Sequence, residues 1–342
     1  MLRRERLLTA FNKQIPDRVP IGMDCWPGVR RSIYSYYGAK NHYDFYIKSG
    51  VDNFSLWDWP AYEPAYIGPE RPRVQDYSLC MGIWGAVSEK YFPMEDDYTS
   101  YRWPNVDDLD FSGARAAMRD AHDNDMVSIG THISVGLLHH IRMRGYERAM
   151  FDVKDDAFME DYLGKLRDYY LAFLSALFSE TRGYVDVMRC DEDAGGNERL
   201  LINPIEWRKW YKPLWKEVFA VCHANGTKVW LHSCGYCRSI VEDFIECGAD
   251  ILDPVPPYVK DSDPSDMKRE FRGRLCLHGG VNHIDAMIYG TPDSVREEVK
   301  LRMDQLKPGG GYICGASQVL TDQMPIENII SFLESAKKFG AY

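Results

Sequence analysis

His232 and Cys234 stand two residues apart in KVWLHSCG (228–235). Residues i and i+2 of a strand point to one face, so both side chains can meet at a single point. An imidazole beside a thiolate is a donor pair for zinc, and Cys314 in GYICGAS (311–317) adds a third soft donor at matching height on a distant strand. Three protein ligands with one open position is how catalytic zinc is held, whereas structural zinc usually has four. The bland alternative is a strand-end histidine and a buried thiol with no metal. A second motif overlaps the first: Cys234-Gly-Tyr-Cys237 follows a strand and precedes a helix, as thioredoxin-type redox pairs do. A thioredoxin unit would leave most of the chain unexplained, so Cys237 is read as a bystander or a thiol beside the metal.

The other strand ends carry similar chemistry. VDVMRC (185–190) runs into Asp191-Glu192-Asp193, an acidic run suited to general acid–base work, followed by Ala194-Gly-Gly-Asn, where backbone can approach a ligand. His132 ends MVSIGTH (126–132), His278 lies in LCLHGGV (275–281), and Trp57 stands at the end of DNFSLWD (52–58) with Trp59 just after it. With Tyr62, those two indoles are expected to line a substrate pocket, as are His132 and His278. Aromatic residues there suit a flat ring or a methylated cation. Gly309-Gly-Gly311 precedes a strand, so it reads as a turn and not as a phosphate cradle.

These residues need elements that deliver them to one place. RVPIGMD (18–24), the runs at 52–58, 126–132, 185–190 and 228–233, DILDPV (250–255), and the runs at 275–281 and 311–317 make eight short strands. Helical patterns separate most of them, among them SVGLLHHIRMRG, DAFMEDYLGKLRDYYLAFLSALFSETRG and PDSVREEVKLRMDQLKPGG. Strands alternating with helices imply βαβ units, and eight close an α/β (β/α)₈ TIM barrel spanning residues 1–342, with its active site at the strands' C-terminal ends. The Pro-, Tyr- and Trp-rich stretch from Trp59 to about Asp110 reads as a long excursion over the mouth after the second strand.

The bulk composition narrows the partners. A formal net charge of -10 argues against nucleic acid or an anionic membrane. The basic N-terminal stretch lacks a signal-peptide core, and no run is apolar enough to span a bilayer, so a cytoplasmic enzyme is expected. The cysteines number nine, an odd count that fits a reducing compartment better than a disulfide framework.

Five stretches resemble the uroporphyrinogen decarboxylase superfamily, in its zinc- and cobalamin-dependent methyltransferase branch. They are RRERLLTAFNKQIPDRVPI, YRWPNVDDLDF (101–111), EDAGGNERLLINPIEWRKWYKP (192–213), KVWLHSCGYCRSIVEDFIECGADILDPVPP (228–257) and GGGYICGAS (309–317). The resemblance implies a (β/α)₈ barrel with zinc on a His-x-Cys pair and a distant Cys, matching His232, Cys234 and Cys314. It also implies methyl transfer between a small molecule (methyl ether, thioether or thiol) and the cobalt of a separate corrinoid protein. The chain has no Asp-x-His-x-x-Gly signature, so the cobalamin has to arrive on that partner. A homodimer is left open. The decarboxylases of the superfamily carry Arg-Gln-Ala-Gly-Arg at the first strand and a histidine after the last. Here Gly22-Met-Asp-Cys-Trp26 and Cys314 stand instead, with Arg30 and Arg31 displaced into the next helix. The rival expectations are a decarboxylase with no stoichiometric zinc and a non-enzymatic barrel that binds a corrinoid or tetrapyrrole.

Overall fold

Six of the apolar runs form a parallel sheet in the computed structural model, which describes residues 1–52, 62–69, 94 and 98–342. The strands are β1 (Ile129–Ile133), β2 (Val187–Asp191), β3 (Lys228–His232), β4 (Ile251–Val255), β5 (Cys276–Val281) and β6 (Tyr312–Ala316). Each pairs with the next in sequence order, because a helix between them returns the chain to the same end of the sheet. The segment predicted as the first strand joins this sheet through a parallel bridge between Ile21 and Cys314, with Gly22 N–H donating to the Cys314 carbonyl at 2.8 Å. Asp52 N–H donates to the Ile21 carbonyl, which places the start of the second predicted strand beside the first. The rest of that strand, from residue 53, lies outside the described residues, as does most of the predicted excursion. The fold is a parallel α/β barrel.

The helices follow local rules. Asp155 caps α1 (Asp156–Thr181), its side chain accepting from Phe158 N–H, and Asn203 caps α2 (Pro204–Ala224) from Ile205 N–H. α3 (Pro292–Leu306) begins with proline and a Thr291–Ser294 capping box, two start signals in one turn. None of the helices among the described residues is long and apolar enough to cross a membrane.

Two apolar layers sit on the two faces of the sheet. Outside, Leu166, Phe173, Trp215, Phe219 and Leu333 pack helices against residues such as Met188, Leu231 and Cys314. Inside, each strand gives one residue near its N-terminal end: Ile129, Val187, Trp230, Ile251, Cys276 and Ile313. Leu7, Ala10 and Phe11, from the helix Arg3–Phe11, plug that end. Strand alternation then dictates what faces inward two residues further on: Arg189, His232, Asp253, His278 and Gly315. The floor of the barrel is therefore apolar and its middle is charged.

The plug is tied by a buried carboxylate. Asp52 is fully buried and holds Arg6 Nη1 at 2.6 Å, Arg18 Nη1 at 2.7 Å and Ile21 N–H at 3.0 Å. Asp52→Ala leaves Arg6 without its buried partner and is expected to cost about 3–5 kcal/mol in a urea unfolding titration. Removing the exposed Lys209–Asp156 pair should leave the midpoint unmoved.

Candidate metal centre and active site

At the C-terminal end of β2 and β3, ligand atoms of Asp193, His232 and Cys234 lie within 4.8 Å of one another. Cys234 Sγ is 3.0 Å from His232 Nε2, and Asp193 Oδ1 is 3.7 Å from the same nitrogen. Asp193 is placed by backbone, since its Oδ1 accepts the Cys234 N–H at 2.9 Å. Two loops press together to make this contact. A Cβ on Gly195 would collide with the Tyr236 carbonyl, and Gly235, at φ +75°, faces the Gly195 carbonyl with no room for one. Gly195 thus serves loop-to-loop packing.

His232 is oriented from behind. Its Nδ1 donates to Asp253 Oδ2 at 2.9 Å, which leaves Nε2 facing Cys234 and Asp193, the arrangement a histidine ligand to metal adopts. Imidazole, thiolate and carboxylate are a zinc-type donor set and a poor one for magnesium or calcium, so these residues fit the metal expected from the sequence. The third donor differs, however. Cys314 is fully buried on the outer face of the sheet, where burial pushes its thiol up to about 12. The cause is strand phase: Gly315 is the residue whose Cβ would point at His278, so its neighbour Cys314 must point the other way. Gln318, missed in the sequence, stands at the mouth instead, with Nε2 3.9 Å from Cys234 Sγ. Cys237 is also buried, with its thiol pushed up to about 12 by burial, which is the reverse of an activated redox cysteine.

Below these donors lies a buried charge cluster. Asp253 receives His232, His278 Nδ1 and Arg189 Nη1, the last at 2.7 Å, and Asp191 pairs with His132 and with Arg189 Nε. Burial works against ionising Asp253, yet Arg189 and the two histidines hold its carboxyl well below the usual range. Sequence reasoning missed Arg189 and Asp253 because both sit in runs read as apolar. Their signal was there: a charge inside a short buried strand is costly unless it is paired. An interior cavity of about 50 Å³ lies among these groups, lined by Gly22, Asp24, Arg189, Trp230, His278 and Gln318 among others.

The remaining predicted residues separate. Of the acidic run, Asp191 faces the interior, Asp193 the candidate metal centre, and Glu192 the helices. Glu192 is fully buried, and its Oε1 accepts Leu137 N–H at 3.0 Å and Trp207 Nε1 at 2.6 Å, so it holds the start of the helix Leu137–Arg144. Its side chain thus lies among the helices and apart from Asp193 and His232, with which it was expected to act. Tyr62 is displaced as well. It donates its N–H to the carbonyl of Ile129, the first residue of β1, so the chain is back at the floor end of the barrel by residue 62. Trp57 and Trp59 lie outside the described residues.

Burial raises the Glu192 carboxyl to about 7, against the pull of Trp207 and Leu137 N–H. The folded state then binds its proton more tightly than the unfolded chain, so this contribution to stability is present below about pH 4.5 and lost as pH rises to about 7. Glu192→Gln should remove the dependence. Its stability relative to the parent is expected to gain up to about 3 kcal/mol between pH 4.5 and 7 in urea titrations.

A family model described as uroporphyrinogen decarboxylase (URO-D) matches residues 137–339, more than half of the chain. A uroporphyrinogen decarboxylase of Pseudoalteromonas translucida (strain TAC 125) is 27% identical over 77 residues, which is 22% of this chain and 21% of that protein. The match thus spans about a fifth of the curated relative's length. A methyltransferase from Methanosarcina mazei superposes with a TM-score of 0.69 at 16% identity, covering 99% of each chain, a likeness that speaks for the fold. By the extent of the family match and the barrel it describes, the chain belongs to the uroporphyrinogen decarboxylase family.

Proposed function

We propose that the chain is a zinc-dependent methyltransferase, moving a methyl group between a small molecule and the cobalt of a corrinoid protein that docks at the barrel mouth. The observation that carries this reading is the convergence of Asp193, His232 and Cys234 at the strand ends, with His232 braced by Asp253. Bound there, zinc would supply Lewis acidity toward the heteroatom that bears the methyl group, or lower the pKa of a thiol. The protein's own part is placement. Asp253 fixes the His232 ring and the Cys234 N–H fixes Asp193, so the donors are held in place by the protein's own hydrogen bonds. A carboxylate in place of a second thiolate makes the set harder, which favours an oxygen-bearing substrate over a thiol.

Tetrapyrrole decarboxylation finds less support. A substrate with many carboxylates needs unpaired cations, and the cation lining the described cavity, Arg189, is engaged by Asp191 and Asp253.

Purified protein is expected to carry about one zinc per chain. Cys234→Ser or His232→Ala should remove most of it, Cys314→Ala should keep it, and Asp253→Asn should weaken affinity about 10–100-fold in a chelator competition. Methyl-transfer rates with methyl ethers are then compared with a corrinoid protein, with free cob(I)alamin and with neither. Turnover that is equal in all three would overturn the reading.

A further inference from the structure

Below the candidate metal centre, two buried side chains are left unused by that reading. Trp230 is 3% exposed and His278 8%, both line the interior cavity, and their ring centroids lie 5.0 Å apart. Each keeps one buried ring nitrogen, Trp230 Nε1 and His278 Nε2, with no hydrogen-bond partner in the protein. Leaving such a group unsatisfied costs about 1–3 kcal/mol, so both nitrogens call for a partner in the cavity. At about 50 Å³ the space takes a few waters or one end of a small molecule.

The two nitrogens ask for different things. An indole Nε1–H only donates. Asp253 already accepts from Arg189 and His232, and it takes the Nδ1–H of His278 as well; in the tautomer that fits this contact Nε2 is the acceptor. A hydroxyl answers both, because its oxygen accepts from Trp230 while its hydrogen goes to His278. An ether or carbonyl oxygen answers Trp230 alone. A carboxylate leaves His278 unanswered and meets Asp24 and Asp253 in the same cavity wall. Glycine at 315 is part of the arrangement, since a Cβ there would stand 2.6 Å from His278 Nε2.

We propose that Trp230 and His278 form an inner subsite for the hydroxyl group of a neutral small molecule, so that the methyl donor is an ether carrying an alcohol or phenol at its other end. The methyl ether rests on the methyl-transfer reading; the hydroxyl rests on the two rings alone.

The test uses 2-methoxyethanol and 1-methoxypropane, which differ by a hydroxyl in place of a methyl. The Trp230 indole N–H resonance of the purified protein, identified by its loss in Trp230→Phe, should move saturably with the first probe and stay in place with the second. His278→Phe should weaken binding of the alcohol by about two- to tenfold, the worth of one neutral hydrogen bond. Equal response to both probes, or to neither, would overturn the subsite and assign the two nitrogens to ordered water. No corrinoid enters this measurement. Alcohol binding without methyl transfer would therefore sink the functional reading and leave the subsite standing, while transfer from 1-methoxypropane at an equal rate would sink the subsite alone.

Discussion

The Asp253 carboxylate is the point on which the interior turns. It is buried, and it accepts from Arg189, His232 and His278 at once. A charge in that position is tolerable only because three donors surround it, and each donor is thereby held in one orientation. His232 is turned toward the mouth, His278 toward the cavity, and Arg189 across to Asp191. One carboxylate thus links the metal donors above to the cavity beside it. The apolar layer beneath, from Ile129 round to Ile313, shields the cluster from the floor end, and Arg189 borrows the face of Trp230 at 5.7 Å.

Much of this order was legible in the residues. Strand positions follow from apolar runs of the right length, and the helices from their caps and stop signals, so the six strands of the parallel sheet fall within a few residues of the predicted runs. His232 and Cys234 were legible as a pair because their spacing is local. Cys314 was not, because facing depends on phase. Whether the thiol or its glycine neighbour points inward is decided by which residue of β6 joins the apolar floor, and Ile313 does. Nothing within the seven residues of that run fixes the choice; it comes from register with β5.

Asp193 and Glu192 make the same point from another side. They are adjacent in the chain, equally acidic, and end in opposite surroundings. Glu192 N–H pairs with the His232 carbonyl, which continues the ladder one step past the strand and sends its side chain outward among Trp207 and the start of a helix. Asp193 is the next residue, so it turns back toward the mouth. Side-chain type marked both as candidates, and backbone geometry separated them. Arg189 and Asp253 show the converse, since hydrophobic neighbours concealed charged residues whose partners lie on other strands.

The helical plug at the barrel floor has a consequence for synthesis. Leu7, Ala10 and Phe11 leave the ribosome well ahead of Trp230, Ile251, Cys276 and Ile313, which form part of the surface they cover. An apolar helix face must therefore wait, solvent-exposed, while the strands that cover it are made. Contacts of such long sequence separation form slowly, and an unburied apolar face in that interval is prone to capture by other chains. Of the arginines in RRERLLTAF, Arg3 and Arg4 stay partly exposed, while Arg6 is buried against Asp52. Charge on the same short helix favours its solubility in that interval.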